Sequence, residues 1–186
     1  KIMMNSLYGA LGNKWFRYYD VRVAEAITTS GQLAIRWAEK TVNVYMNQIL
    51  GTSDQDYVIA IDTDSVYINF GPMVEQMGIT DKKRAVEVID EICQKKFEPL
   101  LAESYDVMAK YMDSYENKMV MEREVIADVG VWTAKKRYIL NVHNSEGVQY
   151  AKPKLKIMGI EAVKSSTPAS CRDALKGLFK VMMTAE

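Results

Sequence analysis

Between residues 24 and 50, apolar or small side chains recur at Ala24, Ile27, Gly31, Ala34, Ala38, Val42, Tyr45 and Ile49. Steps of three and four put all eight on one face of a helix. Gly51, followed by Thr52, Ser53 and Asp54, reads as the stop of that helix and the loop after it. A long amphipathic helix needs a core to lie on, and 186 residues at 48% hydrophobic and 26% charged composition are enough to build one.

The rest of the chain reads as a mixture of strands and helices. YVIAI, DTDS and VYINF over residues 57–70 form two β-rich runs around a polar centre, the pattern of a hairpin. Thr80 and Asp81 cap a second helix with a face of Val86, Ile89, Cys93 and Phe97. It runs to about Pro99, with more helix through Met112. Residues 119–127 are a strand candidate, and residues 137–143 and 148–151 pair over a turn at 144–147. Thr167 and Pro168 open a last helix with a face of Cys171, Leu175, Leu178 and Met182. The order predicts an α+β fold, an antiparallel sheet with helices packed on one face.

Composition removes several classes. No apolar run approaches the roughly 20 residues that cross a bilayer, and no basic-then-apolar leader opens the chain, so no membrane partner is expected. Cys93 and Cys171 stand far apart outside any CxxC pattern, which argues against a disulfide frame or a structural zinc site and for a reducing compartment. Lys plus Arg and Asp plus Glu balance at 24 each, but unevenly along the chain. Residues 1–134 carry fourteen basic against twenty acidic groups, and residues 135–186 carry ten against four. An acidic first part suits divalent cations and a basic last part suits a phosphate backbone; an uneven solvated surface is the other reading.

Three clusters carry candidate chemistry. Asp62 and Asp64 sit two apart at the hairpin tip, where like charges repel unless a cation lies between them, and such oxygen ligands suit Mg²⁺ or Mn²⁺. A polar turn with aspartates bonded to nearby amides is the alternative. On a helix, Lys1, Asn5 and Tyr8 would share a face able to meet a nucleotide, or form an exposed helix end stopped by Gly9. Lys135, Lys136, Arg137 and Tyr138 begin a strand, with Lys152, Lys154 and Lys156 across the next hairpin, arranged either to follow a duplex or simply to face solvent. His143, the only histidine, stands at a strand end and is given no catalytic role.

KxxxNSLYG at residues 1–9, DTDS at 62–65 and KKRY at 135–138, in that order and spacing, resemble the family B DNA polymerases. SLYGALGNKWFRYYD, DTDSVY, PKLKIMG and SSTP are similar to segments of the replicative enzymes of T-even-like bacteriophages within that family. The resemblance implies the end of the fingers over residues 1–22, a palm over 23–164 and the start of a thumb over 165–186. It implies template-dependent nucleotidyl transfer with two Mg²⁺ ions, Mn²⁺ substituting, on primer-template DNA and deoxynucleoside triphosphates. It also implies host cytoplasm as the location and a sliding clamp for a longer protein.

Carried over by residue, Asp64 and then Asp62 are the metal ligands, and Glu124 matches an acidic palm residue near them. Lys1 would touch the triphosphate, Asn5 would help position it, and Tyr8 with Gly9 would bound the nascent base pair. Lys136 and Tyr138, with Lys135 and Lys156, would contact the duplex. Two departures stand out: Ile61 occupies the position before DTDS where many members have Gly, and the family's other palm aspartate lies in a motif upstream of Lys1. The chain is therefore expected to be inactive alone and to need an N-terminal polymerase region. A subunit of a split polymerase and a DNA-binding relative without catalysis are the competing readings.

Overall fold

The computed structural model describes residues 2–184, with backbone alone for residues 2, 4 and 5. The chain divides into two units, one of Lys1–Ile68 with Glu103–Asn117 and the other of Asn69–Ala102 with Lys118–Glu186. Helices and antiparallel sheets are mixed throughout, so the fold is α+β, as the element order predicts.

In the first unit, α1 (Ile2–Leu11) leads by a tight turn into α2 (Val21–Leu50). Asp20 caps α2 by accepting the Arg22 backbone N–H; the Arg22 side chain on the same carboxylate is the main reason its pKa falls to about 2. Gly51 ends the helix at φ +66°, as expected, with its N–H on the Asn47 carbonyl. The buried line is Ala34, Ile35, Ala38, Val42 and Met46, while Ile27 and Ile49 are nearly half exposed. The expected face recurs every 3.5 residues, and a 3.6-residue helix turns such a line by about 20° per heptad. Over 30 residues the buried line therefore passes from Tyr45 and Ile49 to Met46.

Polar residues on α2 set the next strand. Asn43 Oδ1 accepts the N–H groups of Tyr57 and Val58 at 2.8 and 3.2 Å, and Asn47 Oδ1 accepts that of Gln55 at 3.0 Å. The loop is thereby tied to the helix, and β1 (Val58–Asp62) pairs with β2 (Ser65–Ile68) as the predicted hairpin. Ile61 is an ordinary strand residue opposite Val66, so losing the family's Gly there does not break the hairpin.

The second unit holds α3 (Gly71–Gln76), a short helix the sequence reading missed, and α4 (Lys82–Ile92), capped by Asp81 as expected. Helix continues beyond Pro99 as expected, but as one unbroken run rather than a separate piece. A π-helical turn at Cys93–Phe97 widens the ladder, with the Glu98 N–H reaching the Cys93 carbonyl, and the helix continues as α5 (Glu98–Tyr111), whose residues from Glu103 on belong to the first unit. The change of spacing falls just before Pro99, where a missing N–H and a bulky ring would strain a regular ladder.

β3 (Val125–Ala134), β4 (Arg137–Ser145) and β5 (Val148–Met158) form one antiparallel sheet in sequence order. β3 starts later than expected because the Arg123 N–H is held by Glu98 Oε1 at 3.1 Å rather than by a strand. It runs on through Asp128 because the ladder shifts register between Ala127 and Val129. Val129, Val131, Ile139, Leu155 and Ile157 make its core face, packed with Ile160 and with Phe179 and Met183 of α6 (Ala169–Thr184). On α6 the packed line is one residue on from the expected one: Leu178 and Met182 face outward at 60% and 44% exposure. The helix carries two apolar lines, and periodicity alone cannot choose between them.

Two polar knots fix α4 to this sheet. Arg123, 9% exposed at its side chain, pairs with Asp90 of α4 and donates to Asn144 Oδ1 at 3.0 Å. Asp128 Oδ2 takes Lys82 Nζ of α4 at 3.0 Å, while its Oδ1 accepts Asn141 Nδ2 at 2.8 Å and lies 3.2 Å from His143 Nε2, outside hydrogen-bond geometry. Burial opposes ionisation of Asp128, but the hydrogen bonds from Lys82 and Asn141 and the charge of His143 outweigh it and lower its pKa. Among the described residues no helix is long and apolar enough to cross a membrane.

Candidate functional site

The sharpest local geometry lies at the β1–β2 tip. Asp62 and Ser65 are paired, leaving Thr63 and Asp64 as a two-residue turn. Thr63 stands at φ +47°, a left-handed conformation that a β-branched residue rarely adopts. The Asp62 carbonyl accepts the Asp64 N–H at 2.5 Å and the Ser65 hydroxyl at 3.1 Å, and the Thr63 hydroxyl donates to Asp62 Oδ1 at 3.1 Å. Strain of this kind costs roughly 1–3 kcal/mol and persists where the surroundings over-determine it. Its effect is to keep two acidic residues at one exposed end of a hairpin, with Asp62 half-buried and Asp64 exposed.

The tip supplies only hard oxygen donors, and Mg²⁺ commonly takes one or two carboxylates and completes its shell with water and phosphate. Asp62 and Asp64 fit that requirement. Among the described residues no group of three or more Asp, Glu, His or Cys side chains is gathered into a metal site.

Glu124 lies in the second unit, just before β3, and Lys156 Nζ sits 2.6 Å from its Oε1. The acidic and basic residues that the sequence assigns separately to metal and duplex are thus partners of each other. Lys135 and Lys136 do not begin a strand; they are the two-residue turn between Ala134 and Arg137, with Lys136 at φ +62°. Tyr138 follows inside β4, 6% exposed, its ring 6.3 Å from that of Trp132.

Register sorts this sheet into two faces. Tyr138 opposes Met158, Leu140 opposes Lys156 and Val142 opposes Lys154, so the lysines share a face with Tyr138 and Trp132, away from the Ile139 core. Lys154 lies 4.0 Å from the centre of the Tyr150 ring. Lys135 and Lys152 have no ion-pair partner among the described residues.

Of the first cluster, Lys1 lies outside the described residues, and Asn5 and Tyr8 are three apart on α1. Tyr8 is 45% exposed, and its hydroxyl is 3.1 Å from Thr28 Oγ1 of α2. Gly9 does not stop the helix, which runs on to Leu11; no neighbouring side chain among the described residues comes within 4 Å of where its Cβ would be.

A further surface was missed at the sequence level. Between α1 and α2, Asn13 tightens the loop by taking the Trp15 N–H on its side chain and the Phe16 N–H on its carbonyl. Trp15 and Tyr18 are 85% and 65% exposed, with Lys14 Nζ 5.3 Å from the Trp15 ring and Arg17 5.5 Å from the Tyr18 ring. The alternation of cations and aromatics in residues 14–19 was the available signal. Exposed rings beside cations suit the stacking of unpaired bases.

Comparison with known proteins points the same way. The family model for DNA polymerase family B matches residues 1–185. The chain is 44% identical over 194 residues to the DNA-directed DNA polymerase of Escherichia phage RB69, covering 98% of this chain and 22% of that protein. It is 43% identical over 187 residues to the DNA-directed DNA polymerase of Enterobacteria phage T4, covering 95% of this chain and 21% of that protein. The DNA polymerase delta catalytic subunit of Drosophila melanogaster is 28% identical over 89 residues, 48% of this chain and 8% of that one. The chain thus spans about a fifth of the length of these two phage polymerases. With a family model matched almost end to end, the chain belongs to DNA polymerase family B.

Proposed function

We propose that the chain is the part of a DNA-directed DNA polymerase that holds catalytic cations and grips primer-template DNA. Residues 1–22 would come from the fingers, 23–164 from the palm and 165–186 from the start of the thumb. The observation that carries the reading is the strained DTDS tip, which spends conformational energy to keep Asp62 and Asp64 together. Divalent cations bound there would favour ionisation of a primer 3′-hydroxyl and neutralise a triphosphate. Asp64, exposed at the apex, is the more accessible ligand. Asp62, tied to the Thr63 hydroxyl, holds the second position.

The chain's other groups would serve orientation. Tyr8, Asn5 and Lys1 would receive the nucleotide, with no atom of the described residues within 4 Å of where a Gly9 Cβ would be to crowd the base pair. Lys135, Lys136 and Lys156 would neutralise duplex phosphates with little regard for sequence. Tyr138 would contribute through its buried, ring-packed position rather than as an exposed contact. Glu124 would act through Lys156 or through a cation, and the Trp15 loop would stack unpaired template bases. The longer enzyme would work on deoxynucleotides in host cytoplasm with a sliding clamp.

Primer extension with Mg²⁺ and four deoxynucleotides tests the reading, using the chain alone and mixed with the upstream polymerase region. Activity only in the mixture, lost in Asp64→Asn, is expected. Silence in both arms from folded, associated parts would leave a DNA-binding relative as the better account.

A further inference from the structure

We propose that Gly159 is a positioning residue for the basic hairpin tip, the missing side chain that lets Lys135 and Lys136 seat where they do. The inference rests on the reading of Lys136 as a DNA contact. Gly159 follows Met158, which pairs with Tyr138, so it faces the point where β4 leaves the Lys135–Lys136 turn. A Cβ there would lie 2.1 Å from the Lys136 carbonyl oxygen, 3.1 Å from its carbon and 3.2 Å from Arg137 Cγ. The nearest obstacle is backbone, which cannot rotate aside as a side-chain end can. Gly159 also stands at φ +66°, where any other L-residue is strained.

Which partner would yield follows from what anchors each. Beyond Gly159 the chain drops Ile160 into the core beside Ile139 and Met183, then turns through the 3₁₀ segment Glu161–Val163, where Glu161 pairs with Lys164 at 2.8 Å. Lys135, Lys136 and Arg137 are all exposed, and Arg137 meets Glu161 only at 3.9 Å between two half-exposed side chains. A methyl at position 159 would therefore displace the tip and leave Ile160 in place. The tip carries two adjacent cations, one at φ +62°, so displacing it re-aims those charges while the sheet behind it survives.

Duplex binding by the chain across a salt series tests this. The variants are Gly159→Ala, Lys136→Met, both together, and Gly147→Ala. Gly147 has φ +83° in the other hairpin turn, with nothing among the described residues within 4 Å of where a Cβ would be, so it reports left-handed strain without the clash. Removing one phosphate-neutralising cation lowers the slope of log affinity against log salt by about 1. Lys136→Met should show that loss, Gly159→Ala should show at least as much because it re-aims Lys135 as well, and the pair should lose no more than Gly159→Ala alone. Gly147→Ala should lower the unfolding temperature and keep the wild-type slope.

A glycine inserted between Lys135 and Lys136 loosens the tip without a clash and should reproduce the loss, which keeps the test open if Gly159→Ala fails to fold. Wild-type slopes in Gly159→Ala or in the insertion, beside a weakened Lys136→Met, would overturn the positioning role alone. An unchanged slope in Lys136→Met would overturn the DNA reading of Lys136, and this proposal with it.

Discussion

Replacing Arg123 by Met removes the centre of the knot that holds α4 to the sheet. The lost interactions are the ion pair with Asp90 and the 3.0 Å hydrogen bond to Asn144 Oδ1, on a side chain only 9% exposed. Two hydrogen bonds from a charged donor at about 1.5–3 kcal/mol each give about 3–6 kcal/mol, which overlaps the roughly 3–5 kcal/mol for breaking a buried ion pair from one side. Asp90 keeps 20% exposure and contacts from Asn144 and Gln94 at 3.3 Å, which favours the lower end, about 3 kcal/mol. For a chain of this length that is a fall of about 6–12 °C in Tm. Urea denaturation followed by far-ultraviolet circular dichroism reads the free energy directly. Replacing both partners, Arg123→Met with Asp90→Leu, should recover most of it, because no charge is left stranded. A single variant within about 1 kcal/mol of wild type, or a double variant worse than the single, would refute the reasoning.

Three more outcomes follow from particular residues. Thr63→Asn should raise stability by about 1 kcal/mol, since Asn tolerates the left-handed region that costs Thr strain; a loss in chemical denaturation would show the turn is not strained. The Asp128 pKa is lowered in the folded chain, so its stabilisation is present above the ordinary carboxylate range and is lost as pH falls through the folded value. Asp128→Asn should therefore flatten the acid limb of the Tm–pH curve; an unchanged limb would contradict the cluster. Trp15→Ala should weaken binding of a single-stranded oligothymidylate roughly 5- to 150-fold, the worth of one stacked base, without changing affinity for blunt duplex in fluorescence anisotropy. Equal losses on both would assign Trp15 to the fold.

The parts of the fold legible in sequence are those with local causes. Gly51 ends α2, Asp81 caps α4, and the polar centre between two β-rich runs becomes the β1–β2 turn. What was misread depends on distant partners. β3 begins at Val125 because Glu98, 25 positions earlier, holds the Arg123 N–H. The packed line of α6 is chosen by Ile139 and Ile160, not by its own periodicity. The same division holds for the site: the DTDS and KKRY segments are visible as strings, whereas the pairing of Glu124 with Lys156, the burial of Tyr138 and the seat of Lys136 against Gly159 arise only once three strands are in register.

The most direct test of the central claim is single-turnover nucleotide incorporation by a chimera in which residues 1–186 replace the matching segment of the Escherichia phage RB69 polymerase, to which they are 44% identical. The account predicts Mg²⁺-dependent incorporation, preserved in Asp54→Asn outside the tip. It predicts a fall of about a thousandfold or more in Asp64→Asn, matching the several kcal/mol a catalytic cation supplies. A folded chimera that incorporates nucleotides equally well with Asp64→Asn would contradict it.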